Sequence, residues 1–452
     1  MGAHGAAGGL APPVVIVGGG LAGSEAAWQL AASGIPVRLV EMRPVRSTPV
    51  HRTDRFAELV CSNSLRGDDP GNAVGLLKRE MEALDSIIIQ AARASAVPAG
   101  GALAVDRDRF AATVTRAVTG HRLISVERRE LTELPAEPAI IATGPLTSPA
   151  LHRALEGQLG EGSLAFFDAV APIIAFDSID LGRLFRASRY DKGGDDYLNI
   201  PLDRAAYESF VTSLLDAETV AFKDFEAADM RYFEGCLPIE VMAARGIDTL
   251  RWGPMKPVGL VDPATGAQPW AVVQLRQDDL AAEHWNMVGF QTKLTHPEQV
   301  RIFRQLPGLE RARFVRLGLI HRNTFVNAPA HLDGTLRVTS RPGLRLAGQL
   351  TGVEGYVESA ATGLIAGRAL AAELAGREPA SPPPTTALGG LMRHLTARSS
   401  TPFQPANITW GLIPCPPALR SIRSKTARRA AQAERALADA AAWGRSLRSA
   451  GV

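Results

Sequence analysis

Residues 13–41 read PVVIVGGGLAGSEAAWQLAASGIPVRLVE, and the fold turns on them. Val14–Val17 is an unbroken apolar run, the pattern of a strand covered on both faces of a parallel sheet. Gly18-Gly19-Gly20-Leu21-Ala22-Gly23 follows as G-x-G-x-x-G, and an Ala-rich helical pattern runs from Leu21 to Ala32. In such a turn Gly18 permits the tight bend, Gly20 lets a pyrophosphate approach the backbone, and Gly23 lets helix and strand pack closely. The helix N-terminus faces the phosphates with free N–H groups and a positive dipole end. Gly34 ends the helix, Val37–Val40 forms a second strand, and Glu41 stands at its tip. That acid lies roughly 20 residues beyond the glycines, where a carboxylate binds ribose hydroxyls. The spacing predicts a dinucleotide-binding βαβ unit, with Gly18, Gly19, Gly20, Leu21, Ala22, Gly23 and Glu41 as cofactor-binding residues.

Around this unit the chain has 452 residues, 46% of them hydrophobic and 21% charged, which is room for two or three domains. No apolar run approaches the roughly 20 residues that cross a bilayer, so no membrane partner is expected. Residues 1–12 lack a basic n-region and a long apolar run, and read as a flexible extension rather than a secretory signal. Cys61, Cys236 and Cys415 are too scattered for a disulfide framework or a metal cluster, so a reducing cytoplasm is expected. The net charge of +3 is unevenly spread. Beyond Ser381, Arg393, Arg398, Arg420, Arg423, Lys425, Arg428, Arg429, Arg435, Arg445 and Arg448 face only Glu434 and Asp439. A basic end of this kind suggests a polyanionic partner, against the plainer reading of a solvated helix face.

The middle of the chain reads as alternating elements. Ala73–Ala94 has the stripe of one helix, Asp108–Val118 that of another, and Leu123–Glu127 suits a strand. Between Glu41 and the first of these helices, the Arg, Pro, Ser and Asp content marks a long functional loop. Ala139–Ile141 runs into Ala142-Thr143-Gly144, small residues that let the backbone pass close to a cofactor and add Thr143 and Gly144 to the site. From Leu151 onward, strands such as Ile173–Phe176 and Trp270–Leu275 alternate with Gly- and Pro-broken stretches, the texture of a mixed insertion. Gly343–Gly352 then reads as a last parallel strand feeding a glycine-rich loop, and a small-residue helix runs to about Leu374. Gly348, Gln349 and Tyr356 belong to this return. Gln349 stands where many FAD proteins carry an acid, and Tyr356 is either a ring-stacking residue or a core aromatic. The expected fold is α/β: a Rossmann-like, glutathione-reductase-like FAD-binding domain (13–155 and 326–380) interrupted by a mixed α+β insertion (156–325). A basic C-terminal segment (381–452) follows.

With these pieces assembled, the chain resembles the folate- and FAD-dependent tRNA (uracil-5-)-methyltransferase family over nearly its full length. The resemblance is carried by GGGLAGSEAAWQLA, FAELVCSNSLR, YFEGCLPIEVMA, WNMVGFQTKL, LIHRNTF and AGQLTGVEGYVESAATG. The FAD protein of wobble-uridine tRNA modification shares the glycine-rich opening, but the two cysteine motifs and LIHRNTF favour the methyltransferase.

Methylating C5 of uracil is difficult because that carbon is a poor nucleophile. A thiolate adding to C6 makes C5 nucleophilic, so such an enzyme needs a reactive cysteine and a group that removes the C5 proton. The residues alone leave each cysteine open to being a small buried hydrophobe. The resemblance implies that Cys236 is the nucleophile and that Cys61 lies over the flavin, where it either assists proton removal or guards the cofactor intermediate. It also implies FAD, 5,10-methylenetetrahydrofolate as carbon donor, NADPH or NADH as reductant, and the T arm of tRNA as partner. The chain has no second G-x-G-x-x-G for a nicotinamide cofactor. Cys415, between prolines, reads as structural. His321-Arg322-Asn323, Trp285 and Gln291 are either ligand contacts or ordinary structural residues, and Ser24-Glu25 reads as helix opening and packing or, through its carboxylate, as a contact to flavin-side groups. Three rivals stay open: the same chemistry on ribosomal RNA, a small-molecule flavin oxidoreductase, and a non-catalytic RNA-binding protein.

Overall fold

The computed structural model describes residues 12–136, 138–160, 164–220, 237–398 and 403–448. The first structural unit contains β1 (Val14–Val17), α1 (Leu21–Ala32), β2 (Val37–Glu41), α2 (Ala73–Ala83), α3 (Ile87–Ala94) and α4 (Arg107–Gly120). It continues with β3 (Ile124–Arg128), β4 (Ala139–Ile141), β5 (Arg341–Leu346), α5 (Tyr356–Leu374) and α6 (Lys425–Arg448). The five strands form one parallel sheet in the order β5-β4-β1-β2-β3, with the short strand Arg337–Val338 added antiparallel at the β5 edge. Val14 lies opposite Val37, and Val15 opposite Ala139. All four residues of β1 are buried because helices cover both faces. Ile16, Leu39, Ile140, Leu346 and Leu364 are fully buried in the same core, each contributing about 1.5–3 kcal/mol.

Strand order reverses at β1, from which the chain builds β2 and β3 on one side and β4 and β5 on the other. A crevice opens at the carboxyl ends of the strands at such a point. The pairing of α1 with α5 aims two helix N-termini at it. These helices approach so closely that a Cβ on Gly363 would lie 2.2 Å from the carbonyl oxygen of Ala22, and one on Gly367 2.9 Å from that of Ala26.

One expectation changes here. The stripe over Ala73–Ala94 is not one helix but α2 and α3, broken where Asp85 takes a left-handed conformation with φ 58°. Ser86 caps α3, its hydroxyl oxygen accepting from the Ile89 N–H, while both helices bury residues in one core, which is why the apolar spacing runs on across the break. The basic C-terminal segment ends in a docked helix: Ala433, Ala436, Trp443 and Leu447 of α6 join the first core, and the Trp443 indole donates to the Ala380 carbonyl at 3.0 Å.

The second unit is a six-stranded antiparallel sheet. Its order is Phe185–Arg186, Tyr197–Leu202, Ala271–Gln277, His284–Met287, Ile173–Ala175 and Phe314–Arg316. Phe210, Trp285, Phe290 and Phe303 fill a separate core beneath it. Leu164–Ala169 and Ile320–Phe325, the strands by which the chain enters and leaves this region, pair antiparallel with each other.

Candidate active site

At the carboxyl ends of β1, β2 and β4 lies a cleft of about 1070 Å³, its open mouth included. Its wall brings together Gly18, Gly20, Leu21, Ala22, Glu41, Thr143, Gly144, Gly348, Gln349 and Tyr356. Gly18 has φ +102°, and a Cβ there would sit 2.5 Å from the Ala142 carbonyl oxygen. A Cβ on Gly20 would meet nothing within 4 Å, so backbone is bared to the cleft where α1 begins, and no side chain caps that terminus. The N-terminus of α5 is likewise uncapped by any side chain. Gly19 and Gly23 stand behind the wall and act by packing. A Cβ on Gly23 would lie 1.8 Å from the Gly18 carbonyl oxygen, and one on Gly19 2.4 Å from the Phe56 ring.

The Gly19 N–H donates to Oε2 of Glu41 at 2.7 Å, while Oε1 accepts from the Arg43 N–H and Nε, both at 3.0 Å. Burial raises the Glu41 pKa, but the Arg43 charge and these hydrogen bonds outweigh it and hold the carboxyl below its ordinary value. With two acceptor sites per oxygen, Oε1 is filled and Oε2 keeps one site for a ligand hydroxyl. Gln349 donates its amide to Oε2 of Glu354 at 2.6 Å, so the acid of this corner is Glu354, five residues later. Two uncapped helix N-termini, bare glycine backbone and one ionised carboxylate make a donor and acceptor set that fits an elongated dinucleotide with its pyrophosphate at the centre.

The cysteine loop lies against this cleft. The N–H groups of Cys61 and Ser62 both donate to the Tyr356 hydroxyl, at 2.7 and 3.0 Å. Burial, reinforced by the nearby Cys61 thiol, pushes the Tyr356 phenol far above its usual range, so it stays protonated. From the second unit, Arg276 donates to Asn63 Oδ1 at 3.0 Å and to Ser62 Oγ at 2.8 Å, and Asn63 donates to the Gln277 carbonyl at 2.9 Å. Cys61 is therefore held at the seam between the two units, tied to the glycine-rich return on one side and to the inserted sheet on the other. Arg107, the first residue of α4, donates to the Leu59 carbonyl at 2.5 Å and to Asp278 at 2.9 Å. Burial, with the charges of Arg107 and Arg52, lowers the Arg316 pKa to about 10. His51 lines the cleft beside this group. Its burial and the Arg43 charge drive the imidazole down to about 4, leaving it neutral at pH 7.

Cys236 lies outside the described residues. The segment directly after it is anchored: the Ile239 N–H donates to the Gln291 carbonyl at 2.7 Å, and Glu240 accepts from Thr292 Oγ1 at 2.9 Å and the Lys293 N–H at 2.7 Å. Gln291 thus serves the join between two sequence motifs through its backbone. Trp285 is fully buried in the second core, stacked on Phe176, and is no part of the cleft wall. His321, Arg322 and Asn323 lie on a described strand, but their side chains fall outside the described residues. Glu25 is buried and accepts from Ser86 Oγ at 2.6 Å and Gln29 at 2.8 Å, which is packing. Cys415 is half-buried, its backbone carbonyl accepting from Arg420. Sequence reasoning missed His51, Arg107, Arg276 and Arg316. Arg107 had a local signal in the Asp106 cap just before it, whereas Arg316 belongs to no motif.

The strand order, the paired helix N-termini and the cleft between them define a Rossmann-like FAD-binding fold carrying a mixed insertion. A family model described as glucose inhibited division protein A matches residues 13–378. The methylenetetrahydrofolate–tRNA-(uracil-5-)-methyltransferase TrmFO of Paramagnetospirillum magneticum is 60% identical over 411 residues, 89% of this chain and 91% of that protein. The protein of the same name from Rhizorhabdus wittichii is 56% identical over 432 residues, 95% of this chain and 97% of its own length. Among solved structures, GidA of Aquifex aeolicus shares the fold with a TM-score of 0.69 at 16% identity, over 96% of this chain and 73% of that one. The chain belongs to the GidA family and, within it, to the TrmFO group of methyltransferases.

Proposed function

We propose that the chain methylates C5 of a uracil in the T arm of tRNA. The carbon comes from 5,10-methylenetetrahydrofolate, the electrons from NADPH or NADH, and FAD sits in the cleft. The backbone at Gly20, Leu21 and Ala22 holds the pyrophosphate, Glu41 takes the ribose, and Thr143, Gly144, Gly348, Gln349 and Tyr356 flank the flavin end. Gly19 and Gly23 keep the turn in shape. Bound FAD supplies the redox equivalents that bring the transferred carbon to the methyl level. Cys236 adds to C6 of the uracil, C5 then bonds to the transferred carbon, and as Cys61 removes the C5 proton the C5–C6 double bond re-forms and the Cys236 thiolate leaves.

The observation that supports this reading most is the Tyr356 hydroxyl, which accepts from the Cys61 and Ser62 amides while its residue lines the cleft. It joins a thiol to a dinucleotide site, the pairing that this chemistry needs. The relatives named for this reaction, at 56–60% identity, support the substrate and the carbon donor. Arg423 and Lys425, exposed at the start of the basic helix, suit sequence-tolerant contact with phosphates. The test is to incubate the FAD-loaded protein with methylene-labelled 5,10-methylenetetrahydrofolate, NADPH and unmodified tRNA, and then to map the label. Label is expected in a T-arm uridine, and Cys236→Ala should keep FAD and transfer none. Label confined to folate products, label accepted only by ribosomal RNA, or undiminished transfer by Cys236→Ala overturns the reading.

A further inference from the structure

We infer that the guanidinium of Arg316 is a seat for a phosphodiester of the RNA substrate beside Cys61, an inference that rests on the RNA reading above. Arg316 ends the strand Phe314–Arg316, the last of the inserted sheet, and is only 7% exposed. Its Nε and Nη2 are buried and have no hydrogen-bond partner among the described residues. Those two N–H groups share one edge of the guanidinium, the edge that grips two oxygens of one anion side by side. A buried cation with two idle donors is among the costliest arrangements in a folded chain unless an anion completes it.

The groups around it leave a surplus of positive charge. Arg107 approaches from the first unit and is balanced by Asp278, to which it donates at 2.9 Å. Arg276 is committed to Ser62 and Asn63. Cys61 and Tyr356 complete the charges that Arg316 feels, together with Arg52. Arg107 leaves only its Nη2 without a partner, whereas Arg316 has both donors of one edge uncommitted among the described residues. Because Arg52 is exposed, the positive charge continues outward to solvent, which suits a chain of phosphates better than an isolated carboxylate. The edge itself is shut off from solvent, so seating a phosphate there requires the groups that cover it to shift as the nucleotide turned out of its stack comes in, and holding it there fixes the base against Cys61.

The experiment compares FAD-loaded wild type, Arg316→Gln and Arg316→Lys, with flavin absorbance and thermal melting as fold controls. The equilibrium dissociation constant for an unmodified tRNA transcript is measured across salt concentrations, alongside KM for 5,10-methylenetetrahydrofolate. Arg316→Gln should weaken tRNA binding about tenfold or more and reduce the log–log salt slope by roughly 0.7–0.9, with the folate KM unchanged. Arg316→Lys keeps the charge and loses the fork, so it should keep the salt slope and still bind more weakly than wild type. Unchanged tRNA affinity and slope in Arg316→Gln overturn the inference, and so does a loss confined to the folate KM, which would assign the edge to a carboxylate. If Arg316→Gln fails to fold, wild-type affinity in Arg316→Lys refutes it. Wild-type protein that binds no tRNA refutes the RNA reading itself, a separate result.

Discussion

Replacing Tyr356 with Phe isolates the tie between the cysteine loop and the cleft. The ring and its place in the wall are retained, and only the hydroxyl that accepts from the Cys61 and Ser62 amides, at 2.7 and 3.0 Å, is removed. Each lost hydrogen bond is worth about 0.5–1.5 kcal/mol net, so the pair amounts to about 1–3 kcal/mol. If holding Cys61 in place is what these bonds do, the same sum enters the barrier as a roughly 5–150-fold fall in kcat. Thermal stability should fall by about 2–4 °C per kcal/mol lost from a domain of this size. Flavin content should stay near that of wild type, because the phenolic oxygen points at the loop's amides. Single-turnover transfer of labelled methyl to tRNA, normalised to bound FAD, measures the effect. A Tyr356→Phe protein that keeps its FAD and turns over within twofold of wild type would refute the reasoning.

Gly23→Ala should abolish FAD retention, since its Cβ would meet the Gly18 carbonyl oxygen at 1.8 Å and that atom is backbone; the absorbance of the purified protein reports it. His51, held neutral down to about pH 4 by burial and Arg43, protonates in the unfolded chain near its ordinary value of 6.5. Stability is therefore lost as pH falls from about 6.5 towards 4, and His51→Gln should flatten that limb in denaturant titrations. Reversing Arg423 and Lys425 together to Glu should weaken tRNA binding and lower its salt dependence, with folate KM unchanged; equal affinity at low and high salt in the variant and the wild type would dismiss the basic helix as an RNA contact.

Much of the first unit was legible along the chain because its determinants are local. The apolar run Val14–Val17, the glycines after it and the span of α1 each follow from residues within a few positions of one another. The same reasoning failed at Asp85, where the buried face of α2 continues into α3 and hides a break in the backbone. The close packing read for Gly23 is seen at the Gly18 carbonyl, while the need for glycine at position 19 comes from the distant Phe56 ring. Trp285 shows the limit from the other side: an aromatic in a motif is a core residue when a second core closes over it.

The sequence by itself determined that a dinucleotide turn exists and that two cysteine motifs accompany it, because a βαβ fingerprint and a thiol are written in neighbouring residues. Only the tertiary structure decided that Cys61 meets the cleft through Tyr356, 295 positions away along the chain, and that Arg107 meets Asp278 across the seam. Such meetings depend on how the inserted sheet docks against the parallel one, and docking is set by summed packing and ion pairing over many distant residues. No short stretch encodes it.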